Sequence, residues 1–308
     1  MILQTGFRTD IPAFYSKWFA ARLTEGFVLV RSPYNPHLIT KYIISPRVVD
    51  LIGFCTKNPA PMFPYLPLLE SYGQYWFVTI TPYGRDIEPH VPNKLNIVQS
   101  FRELSNFIGR HRVGWRYDPI LITERYPVKW HVQAFQKMAE MLGGYTDTCV
   151  ISFIDLYAKV LRNFPEVRTV APEEQIQLAE SFAEIGTRYG IRIQGCAENP
   201  SLGKCGIDMN GCFSAEVIEK ALRSKLRFPK GKFLRADCRC IAGNDIGTYD
   251  SCGHLCRYCY ATSDVQAYYR NKKLHDPSSP LLIGKLLPTD KIHTAKQESW
   301  KPSQTELF

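Results

Sequence analysis

The chain has 308 residues, 45% hydrophobic and 22% charged, with a formal net charge of +9. That is enough apolar material for a sizeable core and argues against a disordered chain. It shows neither a charged leader followed by an apolar run nor an apolar stretch approaching about 18 residues, so secreted and membrane-spanning classes are disfavoured and a cytoplasmic protein with no membrane partner is expected.

In chain order, short β-rich runs alternate with longer segments of helical period. Strands are predicted at Ile2 to Thr5, Phe27 to Val30, Val49 to Phe54, Trp76 to Ile80, Val113 to Trp115, Val150 to Ile154 and Ile191 to Gln194. Between them, Leu95, Val98, Phe101 and Ile108 keep helical spacing up to Gly109, and Val128, Val132, Phe135, Ala139 and Leu142 do so before Gly143. Pro172 opens a third such segment carrying Ile176, Ala179, Ala183 and Tyr189. Strand alternating with helix implies βα units and a mostly parallel sheet. The expected fold is α/β, a (β/α) TIM-like barrel, complete or partial. Its body would cover residues 1–213, followed by a cysteine-rich segment over residues 214–270 that caps the barrel mouth. Residues 271–308, rich in proline and without periodicity, read as an extended tail.

Polar residues follow almost every predicted strand. Arg8 and Asp10, Arg31 and Ser32, Lys57, Thr79 and Thr81, Arg116 and Asp118, Asp155, and Cys196 with Glu198 would gather at the C-terminal rim, where the active sites of parallel barrels lie. Lys57, Arg116, Asp118 and Asp155 are therefore candidates for cofactor or substrate contact.

The ten cysteines of a chain in a reducing compartment suit metal or catalytic work better than a disulfide framework. Cys252, Cys256 and Cys259 fall within eight residues. Offsets of four and seven could place them on one helix face as buried apolar groups, but Gly253 and the neighbouring thiols argue otherwise. Structural zinc usually takes four ligands from two short hooks. Three soft thiolates on one loop can instead hold three irons of a [4Fe-4S] cluster and leave the fourth iron open. Cys196, Cys205, Cys238 and Cys240 form a second set, suited to zinc, to a second cluster or to packing. Cys55, Cys149 and Cys212 read as structural, and His254 as a hydrogen-bonding group beside a metal site rather than a ligand.

The run Cys252-x-x-x-Cys256-x-Tyr258-Cys259, followed by Tyr260-Ala261, resembles the signature of the radical S-adenosylmethionine superfamily, and within it the group that includes spore photoproduct lyase. Arg8-Thr-Asp-Ile-Pro12, Thr56-Lys-Asn-Pro59, Trp115-Arg-Tyr-Asp-Pro119 and the block from Cys238 to Ala261 are similar to a group of bacterial proteins of unknown function. The resemblance implies a complete or partial (β/α) barrel and a cluster held by the three cysteines, with Tyr258 beside it. It also implies S-adenosylmethionine chelated at the open iron, and reduction by a donor such as flavodoxin or ferredoxin to give a deoxyadenosyl radical that abstracts hydrogen from a substrate. The cysteine loop stands at the opposite end of the chain from its usual place after the first strand, and no glycine-rich counterpart of the superfamily's methionine-binding motif is evident. A C-terminal segment folding back over the rim would set the cluster beside Arg8 and Asp10.

Eight Lys or Arg and one acid lie between Lys220 and Cys240. Such a stripe can be a solvated surface or an anion-binding face. Only Phe228 and Phe233 interleave it, whereas base stacking uses repeated aromatics, so a small anionic substrate is favoured over nucleic acid. The rival reading is a non-catalytic zinc or iron-sulfur module with a basic nucleic-acid-binding surface.

Overall fold

A computed structural model describes residues 1–229 and 238–302. Its strands are β1 (Ile2–Gln4), β2 (Phe27–Arg31), β3 (Leu38–Ile43), β4 (Leu51–Thr56), β5 (Gly73–Thr79), β6 (Val113–Ile120), β7 (Thr148–Phe153), β8 (Arg192–Gly195), β9 (Asn244–Asp245) and β10 (Lys291–Thr294). The helices are α1 (Ile11–Phe14), α2 (Ser16–Glu25), α3 (Lys94–Ile108), α4 (Val128–Leu142), α5 (Ala158–Asn163), α6 (Pro172–Tyr189), α7 (Ala215–Leu222) and α8 (Val265–Lys273). The three helices predicted from periodicity are α3, α4 and α6.

Seven strands form one parallel sheet in the order β8-β7-β6-β5-β4-β1-β9. Its edges are β8 and β9, so among the described residues the sheet is open: the expected α/β class with a parallel sheet is present, and a complete barrel is not formed. Side chains alternate across it with period two. Leu3, Ile52, Phe54, Trp76, Val78, Trp115, Tyr117 and Ile151 enter the large core beneath α2, α3, α4 and α6, where Phe54 stacks on Trp76 and Phe135 stacks between Trp115 and Phe182. Ile2, Leu51, Tyr75, Phe77 and Val150 face the other way, onto Val217, Ile218 and Ala221 of α7 and onto Cys212, Cys238 and Cys240. A closed barrel fills its interior with strand side chains alone; here a helix and the cysteine-bearing segments occupy that face, which holds the sheet open.

The predicted strand at Phe27 lies outside this sheet. It pairs antiparallel with β3 and, through β3, with β10, as a separate three-stranded sheet. Arg31 is consequently bound to Asp290 at 2.6 Å and is absent from the strand rim. The place in the main sheet is taken by β9, from the C-terminal segment, paired parallel with β1. The tail runs back along the body: Trp300 donates its backbone N–H to Asp50 and accepts one from Arg227. No helix of the described residues is long and apolar enough to cross a membrane.

Candidate metal and cofactor site

The segment from Cys252 to Cys259 folds as successive turns and contains no helix, which removes the shared helix face as a reason for its spacing. Leu255 adopts a left-handed conformation, φ 53°, that reverses the chain between Cys252 and Cys256 and that a branched side chain adopts only when its surroundings require it. Gly253 is required by space: a Cβ there would stand 2.7 Å from the Phe14 ring and 2.8 Å from the Tyr268 hydroxyl. The loop is tied down by its neighbours rather than by its sulfurs. His90 donates from its ring to the Gly253 carbonyl at 3.0 Å, Arg257 N–H to the Ile87 carbonyl at 3.0 Å, and the Tyr260 hydroxyl to the Phe7 carbonyl at 2.6 Å. Cys259 Sγ accepts the Ala261 N–H at 3.4 Å. Burial raises the Cys252 thiol, and pushes Cys256 up to about 12 although the Lys57 ammonium opposes it. Metal binding here must therefore displace protons.

Two buried carboxylates join this loop to the strand ends. Asp10 caps α1 by accepting the Ala13 N–H at 3.0 Å, and its other oxygen accepts the Lys57 N–H at 2.7 Å and His254 Nε2–H at 2.9 Å. Glu88, in the loop after β5, accepts from Lys57 Nζ at 2.8 Å, the Thr81 hydroxyl at 2.6 Å, Lys94 Nζ and the Tyr258 hydroxyl. Burial alone would raise its carboxyl; Lys57 and Lys94 more than reverse that and hold it down at about 2. Arg8 is engaged with Asp245 of β9 at 2.5 Å. Of the expected contact residues, Arg8, Asp10 and Lys57 thus spend their side chains in holding the loop and strand ends together.

These groups wall a cavity of about 770 Å³ at the C-terminal ends of the strands. Cys252, Cys256, Tyr258 and Cys259 stand with Arg8, Asp10 and Lys57 in its lining, and Arg116, Asp118, Asp155, Glu198 and the thiols of Cys55, Cys196, Cys212, Cys238 and Cys240 complete it. A larger groove of about 1330 Å³ contains no cysteine, and six of its charged residues are paired as Arg168–Glu174, Arg257–Glu166 and Arg125–Asp86. The chemistry therefore favours the smaller cavity. Its wall carries three buried polar atoms without a hydrogen-bond partner, Thr9 Oγ1, Arg116 Nε and His254 Nδ1, of the kind that a polar ligand would satisfy.

A model of the family described as Domain of unknown function (DUF1848) matches residues 2–261. The chain belongs to this family. The match spans the whole parallel sheet and ends two residues after Cys259, so the cysteine loop is part of the family domain. No match was found among curated proteins or among solved structures.

In this family member the second cysteine set differs from expectation by one residue. Cys212 Sγ lies 3.5 Å from Cys196 Sγ and 3.3 Å from Cys240 Sγ, and Cys238 Sγ accepts the Cys240 N–H at 3.4 Å. Cys205 instead ends the turn Pro200–Cys205 and packs on the large core. Arg116 and Asp118, two apart within β6, project together onto the same face as an ion pair at 2.6 Å, with Arg116 Nη1 3.5 Å from Cys55 Sγ. Asp155 is exposed at the rim and accepts the Tyr157 hydroxyl at 3.0 Å. As the side chains stand, no group of three or more His, Cys, Asp or Glu among the described residues is placed to hold a metal ion. Glu198, placed at the rim by sequence, has a carboxyl that burial pushes up to about 8; Cys212, read from sequence as structural, joins the second set, and sequence does not single out Glu88, Lys94 or Asp245.

Of the basic stripe, Lys230, Lys232 and Arg235 lie outside the described residues, while Lys220 is paired with Asp147 at 2.8 Å and Lys225 with Glu219 at 2.7 Å. Binding to short duplex DNA is expected to be weak at physiological salt and unaffected by changing Lys225 and Arg227 to glutamine. A salt titration checks this, because phosphate contacts give a log-log slope of about −0.9 each. Tight binding lost in that variant would overturn the preference for a small substrate.

Proposed function

We propose that the chain is an iron-sulfur enzyme that binds S-adenosylmethionine at a cluster held by Cys252, Cys256 and Cys259 and cleaves it reductively to begin hydrogen abstraction from a small substrate. The observation that carries this reading is the three-thiol loop itself, set into the wall of a cavity at the C-terminal ends of a parallel sheet. The donor set fits the group, since soft thiolates select iron-sulfur clusters and three of them leave one iron open. The open sheet is read as a partial (β/α) barrel of the kind that the superfamily resemblance implies.

When bound, the cluster would supply one electron to the sulfonium, releasing a deoxyadenosyl radical. The chain's own residues bind, orient and shield. Asp10 and His254 fix the loop against α1 and the turn after β4. Lys57, Glu88 and Lys94 fix Tyr258 behind the cysteines, and Arg8 with Asp245 closes the sheet edge beneath the cavity. These are positioning roles. Arg116, Asp118 and Asp155 are the candidates left to face a substrate, with Glu198, whose raised pKa leaves its carboxyl mostly protonated at neutral pH and able to donate a hydrogen bond. The aromatic walls, including Phe7, Phe77 and Tyr260, would help to shield reactive species. Reduction by a one-electron carrier such as flavodoxin or ferredoxin belongs to this reading.

The test is electron paramagnetic resonance of anaerobically reconstituted, reduced protein with and without S-adenosylmethionine. An open iron predicts a reduced-cluster signal whose g values shift on addition. A signal indifferent to it, or protein that takes up only zinc, would refute the proposal.

A further inference from the structure

We infer that Cys196, Cys212, Cys238 and Cys240 form a tetrathiolate site for a single divalent ion of the zinc class, distinct from the loop carrying Cys252, Cys256 and Cys259. The inference does not depend on S-adenosylmethionine cleavage. Cys196 follows β8, Cys212 precedes α7, and Cys238 and Cys240 come from the segment before β9. Three stretches of chain thus deliver four sulfurs to one place on the sheet face opposite the large core. Cys212 touches both Cys196, at 3.5 Å, and Cys240, at 3.3 Å.

The spacing discriminates between metals. A tetrahedral ion with metal–sulfur bonds of about 2.3 Å sets its sulfurs about 3.8 Å apart, close to the two separations seen. In a four-iron cluster each cysteine binds a different iron, so the cysteine sulfurs stand well beyond contact. The three thiols in contact, with Cys238 Sγ on the Cys240 N–H beside them, therefore suit one ion. The backbone already serves thiolates: Cys240 Sγ accepts the Phe213 N–H at 3.3 Å and Cys238 Sγ accepts the Cys240 N–H at 3.4 Å, the outer hydrogen bonds that orient metal ligands.

Charge points the same way. Arg116 Nη2 lies 3.9 Å from Cys196 Sγ, and its Nε is buried with no partner. The guanidinium is already paired with Asp118 at 2.6 Å, and one divalent ion with four thiolates would add a net charge of −2 on its other side. Packing accounts for each cysteine alone, since Phe213, Val217 and Ile218 surround them, but it does not require sulfur against sulfur from three segments. In the arrangement described, Cys212 contacts Cys196 and Cys240, and the thiols are not yet placed to hold a metal ion. Loading converts four S–H groups and one M²⁺ into [M(S-Cys)₄]²⁻ with release of four protons, the side chains turning toward a common centre.

The experiment compares the full chain carrying Cys252, Cys256 and Cys259 as serine with the same chain further changed by Cys205→Ser or Cys212→Ser. Each is freed of metal anaerobically and titrated with cobalt(II) alone, with circular dichroism to confirm folding. One equivalent of cobalt is expected to give the intense bands of tetrahedral thiolate coordination, unchanged by Cys205→Ser and lost with Cys212→Ser. Their absence from the folded parent, or their loss with Cys205→Ser but not Cys212→Ser, overturns the site. If the parent does not fold, zinc content of the otherwise natural chain decides. One ion fewer per chain in Cys212→Ser than in Cys205→Ser supports the site, and equal zinc in both contradicts it. Failure of the cluster proposal leaves these readings untouched.

Discussion

Replacing Cys252, Cys256 or Cys259 singly by serine is expected to abolish the broad visible absorbance of the reconstituted cluster and to bring S-adenosylmethionine cleavage down to the reagent background. A hydroxyl is a poor ligand for iron in such a cluster, and the loop has no further cysteine to substitute. The variants should stay folded, because Gly253, His254, Arg257 and Tyr260 anchor the loop through backbone and ring contacts independent of the sulfurs. Cys149→Ser, remote from the cavity lining, serves as the control. A normal cluster in all three variants would remove the ligand assignment.

The second large effect is on stability. Glu88→Gln leaves the ammoniums of Lys57 and Lys94 facing a neutral amide in a buried site, and removing one partner of a buried charge group costs about 3–5 kcal/mol. Chemical denaturation at neutral pH should register that loss, and hydrogen exchange should show the loop around Tyr258 loosened along with it. Acid separates this from simple misfit. The Glu88 carboxyl is held at about 2 in the folded chain against an ordinary value of 4.5, so its contribution is present above about 4.5 and is lost as pH falls toward about 2. The natural chain should lose stability across that window through this group, and the glutamine variant should lack that part of the slope. An unchanged denaturation midpoint in the variant would contradict the network's role.

Local patterns carried the elements, and long-range pairing decided what they became. The periodicities of Leu95 to Ile108, Val128 to Leu142 and Ile176 to Tyr189 are properties of single segments and end in α3, α4 and α6. The strand at Phe27 has the same apolar character as the sheet strands, and only its hairpin partner at Leu38–Ile43 places it in another sheet. β9 is two residues, Asn244 and Asp245, with no strand-like composition; its position depends on Arg8 across the edge. Sequence grouped Cys205 rather than Cys212 with Cys196, Cys238 and Cys240, whereas the turn Pro200–Cys205 packs it on the large core. Glu88 sits in a loop without periodicity, and its importance rests on two lysines and a tyrosine from elsewhere in the chain. The cysteine loop was legible because its chemistry is local: three thiols with a spacing that neither helix packing nor a four-ligand hook explains.

The most direct measurement of the central claim is product analysis of anaerobic protein reconstituted with iron and sulfide, reduced with dithionite and given S-adenosylmethionine. Formation of 5′-deoxyadenosine and methionine in equal amounts, dependent on Cys252, Cys256 and Cys259, is the predicted result. Intact S-adenosylmethionine recovered from protein that holds a complete, reduced cluster would contradict it.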